Sequence, residues 1–340
     1  MKKIAKQALA LHARLKGKIE LKVKCTPTTR TIPLLYTPGV AAVVRMINRD
    51  ASKVDHFTWR SNAVAMVCDG TRVLGLGNQG PAAALPVMEG KSLLYKAYGN
   101  IDAIPLCIAT TNEEEIIAFA RALVPTFAAL HIEDIEVPKC LRIVEKLQSS
   151  LPQPVFHDDQ HGTAVIVAAA LANALRIVGK KLSNTTIVIA GAGAAGYGIT
   201  RLLHYQGARC LTVVDSKGIV SSRRKHLAPY KRELVRIAHP SCQQGDLAAA
   251  LINADVFIGV SGQPNLLQPA LIKRMSLSPI VFALSNPYPE ILPQAAHRAG
   301  AAIVATGRTD FPNTVNNALV FPFLMRYVLD HGIKRIDQAL

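Results

Sequence analysis

The run Ile187-Val-Ile-Ala-Gly-Ala-Gly-Ala-Ala-Gly196 constrains the fold of this chain more than any other segment. An apolar strand runs into three glycines spaced GxGxxG, and a helical pattern follows at once. The first glycine of such a turn permits the tight bend. The second lets a diphosphate approach the backbone, and the third lets helix and strand pack closely. Unpaired N–H groups at the helix start then face the anion. The next strand, Cys210 to Val214, leads to Asp215, 19 residues beyond Gly196, where an acid meets a ribose hydroxyl. Gly191, Gly193, Ala194, Gly196 and Asp215 are therefore the expected dinucleotide-binding residues, and the expected cofactor is NAD or NADP. Asp215 argues for NAD. Lys217, Arg223, Arg224, Lys231 and Arg232 soon after it could instead hold a 2′-phosphate, or could form a solvated basic loop.

The rest of the chain alternates strand-like and helix-like patterns, which predicts an α/β fold. Strands are expected at Ala63 to Cys68, Ala103 to Ile108, Thr185 to Ala190, Ala254 to Val260, Ile280 to Leu284 and Ala302 to Ala305. A helix is expected between Thr111 and Val124, with Thr111 as its cap and Glu114 reaching back. Ile116, Phe119, Ala120 and Leu123 would share its buried face. Another helix, from about Gly162 to Val178, separates the halves. At 340 residues the chain suits two domains, divided near Gln160 into 1–160 and 161–340. The second is Rossmann-like and carries a C-terminal helical segment.

Several classes of function are disfavoured. The cysteines, Cys25, Cys68, Cys107, Cys140, Cys210 and Cys242, form no CxxC pair, so neither a zinc site nor a disulfide framework is expected. The apolar run Ala164 to Ala172 is too short to span a membrane, and the basic first segment reads as a surface helix rather than a targeting signal. A cytoplasmic location follows as the expectation. The net charge of +16 suits phosphate neutralisation. However, aromatics are only 5% of residues and do not interleave with basic stretches, so no nucleic-acid partner is expected. Capture of small anionic substrates accounts for the charge equally well.

One stretch, Pro154-Val-Phe-His-Asp-Asp-Gln-His-Gly-Thr163, sets two adjacent carboxylates between two imidazoles. Asp commonly starts helices, and a cap is one explanation of the pair. A wider pattern offers another. YTPGV at Tyr36–Val40, LGLGNQGP at Leu74–Pro81, VMEGK at Val87–Lys91, HIEDIEVPKC at His131–Cys140 and HDDQHGTA at His157–Ala164 resemble the malic enzymes. GAGAAG, ALSNP at Ala283–Pro287 and FPNTVNNALVFP at Phe311–Pro322 continue the resemblance in the family's order, closest to its short bacterial form.

That resemblance implies oxidative decarboxylation of L-malate to pyruvate, with NAD or NADP and a divalent metal, in a cleft between an N-terminal α/β domain and the Rossmann-like domain. It implies Glu133, Asp134 and Asp159 as ligands of Mg²⁺ or Mn²⁺, cations that prefer carboxylate oxygens, and Asp158 as a neighbour that relays protons. His157 and His161 are expected to support the pair by hydrogen bonds. Lys91 is implied as the general base for the C2 hydroxyl, which requires its proton to be loosened by burial or by a neighbouring cation. Tyr36 is implied as the acid that protonates C3, Arg72 as the clamp on a malate carboxylate, and Asn286 and Asn317 as substrate amides near the nicotinamide. A malolactic-type or oxaloacetate-decarboxylating activity would use the same groups. The resemblance implies a homodimer or larger homo-oligomer; the short segment after Asp337, Cys68 and Arg60-Ser61 depart from the family's usual pattern, and Arg72 stands where many short bacterial members carry an apolar residue.

Overall fold

Two parallel sheets follow one another along the chain in the computed structural model, which describes residues 2–238 and 244–340. Cys242 lies outside the described residues. An N-terminal arm comes first, with α1 (Lys2–Leu15), α2 (Ile32–Leu35), α3 (Val40–Arg49) and α4 (Val54–Phe57). Strand β1 (Ala63–Cys68) leads into α5 (Pro81–Gly99), β2 (Asp102–Cys107), α6 (Glu113–Ala122), β3 (Ala129–Glu133), α7 (Lys139–Ser150) and β4 (Val155–His157). These four strands pair in the order β2-β1-β3-β4, all parallel. Every residue of β1 is buried, as expected of a strand covered on both faces.

A π-helical turn, Asp158–Gly162, opens α8 (Thr163–Ile177). Then come β5 (Thr186–Ala190), α9 (Ala194–Tyr205), β6 (Cys210–Asp215), β7 (Gly218–Ile219), α10 (Pro229–Ile237), α11 (Leu247–Ala250), β8 (Val256–Gly259), α12 (Pro269–Ile272), β9 (Ile280–Ala283), α13 (Pro293–Arg298), β10 (Ile303–Thr306) and α14 (Phe321–Asp330). The second sheet runs β10-β9-β8-β5-β6-β7, with only the short β7 antiparallel. The expected strands and helices therefore form, with ends displaced by a residue or two.

The cap of α6 differs from expectation. Asn112 rather than Thr111 accepts from the N–H groups of Glu114 (2.9 Å) and Glu115 (3.2 Å). An amide on a short stem takes this place well, and it leaves Thr110 to receive the Asn112 N–H. Ile116 and Ala120 are buried on the predicted face, with Phe119 and Leu123 packed beside them.

One apolar core joins the two sheets. It runs from Ala65 and Ile132 through Val167 and Leu171 of α8 to Ile187 and Ile258. Truncating a buried leucine such as Leu171 to alanine would cost about 2–5 kcal/mol. The C-terminal α14 packs across the chain, its Phe321, Met325 and Val328 lying with Val64, Met66 and Tyr95 of the first unit. The arm is different: no described residue of α2 or α3 is buried. No helix among the described residues is long and apolar enough to cross a membrane.

Candidate active site

Ligands in open parallel sheets bind beyond the carboxyl ends of strands where the strand order reverses. In the first sheet that point lies between β1 and β3, and β3 ends there on Glu133, followed by Asp134. In the second it lies between β5 and β8, where β5 ends at the glycine turn. Loops from the two points touch. A Cβ placed on Gly75 would lie 2.3 Å from the Asn286 carbonyl oxygen, and one on Gly262 would lie 3.4 Å from Arg72 Nη2. Gly198 of α9 lets the Gln160 backbone approach equally closely, where a Cβ would stand 2.1 Å from its oxygen.

The glycine turn has the form its spacing predicts. Gly191 adopts a φ of 123°, in the region that favours glycine, and a Cβ there would meet Val260 O at 2.5 Å. Gly193 has nothing within 4 Å of its Cβ direction, which leaves open space for a diphosphate. At Gly196 a Cβ would stand 1.8 Å from Gly191 O, so only glycine lets α9 start so close to the turn. Ala194 opens α9 and is buried. These features fit a dinucleotide. Asp215 ends β6 as expected, but its oxygens are engaged: Arg224 Nη1 lies at 2.8 Å, Lys231 Nζ at 2.6 Å and the Lys217 N–H at 2.8 Å.

At the first switch point a buried network surrounds Lys91. Its Nζ, reaching in from α5, contacts Asp158 Oδ2 and lies 3.0 Å from Glu133 Oε1, over the Phe321 ring. Glu133 and His131, two apart on β3, project to one face, and His131 Nε2 meets Glu133 Oε2 at 2.6 Å. His131 Nδ1 lies 2.9 Å from the Tyr95 hydroxyl. Burial and the Lys91 charge depress His131 to about 3, so its ring is neutral. A neutral ring that donates to Glu133 accepts from Tyr95. His131 and Tyr95 were missed in the sequence; the alternation of HIE on a strand was the available signal.

The charges do not behave as the sequence implied for Lys91. Burial lowers its pKa, but Asp158 and Glu133 outweigh burial and hold the proton well above the ordinary lysine range. The expected loosening is therefore absent in this geometry. Burial, with the charges of Glu133 and Asp159, pushes Asp134 up to about 8, and burial lifts Asp158 to about 6 against the pull of Lys91. Asp134 holds a left-handed φ of 50°, and its carbonyl accepts the Arg72 N–H at 3.1 Å.

The donor set suits a hard dication. Asp134 Oδ2 and Asp158 Oδ1 are buried without partners. His131, Glu133 and Asp158 offer ligand atoms within 4.8 Å of one another, but both His131 nitrogens and the Glu133 oxygens are already engaged. Of the expected ligands only Glu133 belongs to that group; Asp159 acts on Glu133 through its charge, and the charges of Glu133 and Asp159 act in turn on Asp134. Such a cluster of mutually repelling carboxylates with unspent acceptors is what a divalent cation of the Mg²⁺ or Mn²⁺ kind would neutralise.

Around it, His157 Nδ1 accepts the Gln160 N–H and His161 Nδ1 accepts the His157 N–H, each at 3.1 Å, so both imidazoles brace the turn. Gly162 is required there, because a Cβ would lie 2.0 Å from Asp158 Oδ1. Asn286 Nδ2 donates to Gly307 O at 3.3 Å, and Asn316, missed in the sequence, donates to the same oxygen at 2.7 Å. Asn317 starts the 3-10 turn Asn317–Leu319 beside it. Tyr36 is not drawn in: its side chain is 71% exposed and makes no hydrogen bond among the described residues.

Comparison with known proteins adds the lineage of this arrangement. Residues 16–148 match the malic enzyme N-terminal domain, and residues 160–339 match the malic enzyme NAD binding domain. The chain belongs to the malic enzyme family. It is 43% identical to the bifunctional malic/malolactic enzyme of Bacillus subtilis, over 99% of this chain and 82% of that one. An NADP-dependent malic enzyme of Halomonas elongata is 42% identical over 98% of this chain and 79% of its own length. The NAD-dependent malic enzyme structure from Thermotoga maritima superposes with a TM-score of 0.93 at 48% identity, covering 97% of this chain and 88% of that one.

Proposed function

We propose that this malic enzyme family member oxidises and decarboxylates L-malate to pyruvate and CO₂ while reducing NAD or NADP. Glu133, Asp134 and Asp159 would hold Mg²⁺ or Mn²⁺. The observation that carries this reading is the Lys91–Asp158 pair in a buried, oxygen-rich cluster at one switch point, with loops from that point in contact with loops from the other, where the diphosphate cradle lies. When bound, the dication supplies Lewis-acid charge and the dinucleotide accepts a hydride.

The chain's own groups do the rest. Lys91 Nζ takes the proton of the C2 hydroxyl after passing its own to Asp158 Oδ2, which it already contacts. Asp158 is placed for that exchange by direct contact, while in the resting geometry Asp158 and Glu133 keep the proton on Lys91. His131 and Tyr95 fix Glu133 from behind and exclude water. Arg72 offers a planar guanidinium to a malate carboxylate from the exposed loop after β1. Asn286 and Asn317 position the substrate from the cofactor side. Tyr36 is the acid at C3 on the strength of its motif alone. We take 1–160 and 161–340 as the two domains, and the exposed Leu34, Leu35, Val44 and Met46 of the arm support a homo-oligomer.

The test is formation of NADH or NADPH from L-malate with Mn²⁺, in parallel reactions, with pyruvate assayed at the end. Reduced cofactor matched by pyruvate supports the reading. Lactate, or pyruvate without reduced cofactor, would favour a malolactic-type or oxaloacetate-decarboxylating activity, the former named for the Bacillus subtilis relative. Absence of turnover from folded protein would sink both.

A further inference from the structure

The basic run after β6 is not used by the chemistry above, and its placement bears on which dinucleotide the enzyme takes. In an NAD site of this fold, the acid that ends the second strand accepts from the ribose diol. Asp215 holds that position, yet each of its oxygens already receives a cation, Arg224 Nη1 at 2.8 Å on Oδ1 and Lys231 Nζ at 2.6 Å on Oδ2. The Lys217 N–H adds a third donor to Oδ1 at 2.8 Å. An acid so occupied has little acceptor capacity left for a diol.

Arg224 has a second role. It lines an open cleft of ≈ 430 Å³ with Ser222, His226, Arg232 and Arg236, alongside the apolar Leu227 and Val235. No acidic residue lines this cleft. Arg232 and Arg236, four apart on α10, share one helix face, an arrangement of like charges that costs stability unless an anion lies between them. Among the described residues neither has an ion pair. The one acid of α10, Glu233, is turned away to the Tyr197 hydroxyl at 2.6 Å and to Arg201 at 3.2 Å.

We infer that this cleft receives the 2′-phosphate of NADP, with Arg224, Arg232 and Arg236 as its cationic walls. Asp215 serves to position Arg224 and Lys231 rather than to bind the ribose of NAD. The inference rests on the dinucleotide part of the proposed function and specifies its nucleotide. Sequence identity does not decide the point, since relatives over 40% identical are named NAD-dependent and NADP-dependent alike.

The experiment measures NADPH and NADH binding by fluorescence titration of the full chain, without malate or metal. Adenosine 2′,5′-bisphosphate and ADP serve as probes of where the phosphate sits. Wild type should bind NADPH at least about tenfold more tightly than NADH, and the 2′,5′-bisphosphate more tightly than ADP, as charge-assisted contacts to a phosphate predict. Arg232→Ala should weaken NADPH by about tenfold and leave NADH unchanged. Arg224→Ala, which also leaves Asp215 Oδ1 with the Lys217 N–H alone and so with room for a ribose hydroxyl, should narrow the ratio from both sides. Equal or tighter binding of NADH by wild type overturns the inference whatever the variants do. So does an Arg232→Ala variant that weakens both nucleotides alike. Selective NADPH binding without malate turnover would leave this inference standing and defeat the proposed reaction instead.

Discussion

Glu290 in the second unit and Asp134 in the first are both buried acids near strand ends, and their surroundings differ sharply. Glu290 collects the N–H and hydroxyl of Ser261 at 3.0 and 2.9 Å, and the hydroxyl and N–H of Ser285 at 2.5 and 3.2 Å. It ties the ends of β8 and β9 together, and Gly259 is glycine because a Cβ would lie 2.5 Å from the Glu290 carboxyl carbon. Asp134 instead keeps Oδ2 buried without a partner and sits among like charges. A carboxylate whose acceptors are filled by protein donors holds the fold. One whose acceptors are left open costs stability and is retained for something that binds.

The tests of that contrast begin with the largest effect. Lys91→Met should lower malate-dependent kcat by about 10²–10⁴-fold, in line with loss of a general base. Lys91→Arg keeps the charge and the fold but should lose rate to a similar degree, which separates chemistry from folding. If Lys91→Arg keeps wild-type kcat, the lysine is a structural counter-ion only.

Next, Glu290→Ala strands four donors, the Ser285 pair buried and the Ser261 pair partly so, and should cost about 3 kcal/mol in urea unfolding. Asp134→Asn removes repulsion from the metal-free protein and should leave the urea midpoint unchanged or raise it, while abolishing activation by Mn²⁺. Equal destabilisation by the two variants would erase the distinction between them.

The third test is pH. Asp134 has its carboxyl raised from an ordinary 3.8 to about 8 in the folded protein. Across that window the folded state binds more protons than the unfolded one, so this group's contribution to stability is full at low pH and declines as pH rises towards 8. The metal-free Tm should fall over that range, and Mn²⁺ should restore it. Asp255 has the opposite sign. Burial raises it, but Lys180, Ser276 and the Thr186 N–H more than offset burial and hold it below its ordinary value. Its contribution is present above the ordinary value and lost as pH falls through the depressed one, so Asp255→Asn should flatten the acid limb of the same curve. A Tm that rises with pH in the metal-free protein and is unmoved by Asp134→Asn would overturn the first assignment. The smallest effect lies in the first unit but away from its acids: Asn112→Ala should cost about 1 kcal/mol through loss of the α6 cap, measured by thermal unfolding.

Much of the fold was legible in the sequence because its causes are local. Buried parallel strands such as Ala63–Cys68 and Ile280–Ala283 show as short apolar runs, and the glycine turn shows because the φ of 123° at Gly191 and the approach of Gly196 to Gly191 O are demands of the turn itself. The carboxylates of HIEDIE and HDDQH were visible as candidates for the same reason. His131, Tyr95 and Asn316 were not singled out, because their value lies in partners that other elements supply. The α6 cap was misplaced by one residue because Thr and Asn compete for such a position on nearly equal terms.

By itself the sequence determined the α/β architecture, the place of the diphosphate cradle and the set of acids that could gather at the first switch point. Periodicity, turn sterics and residue chemistry act over a few residues and can be read from their order. Only the tertiary structure decided how those groups are charged and what they are free to bind. Lys91 meets Asp158 across 67 residues of chain and is held protonated by it. Asp215 is filled by cations 9 and 16 residues further on. A pKa or an occupied lone pair depends on what surrounds a group in space, and that is known only once distant segments have been folded together.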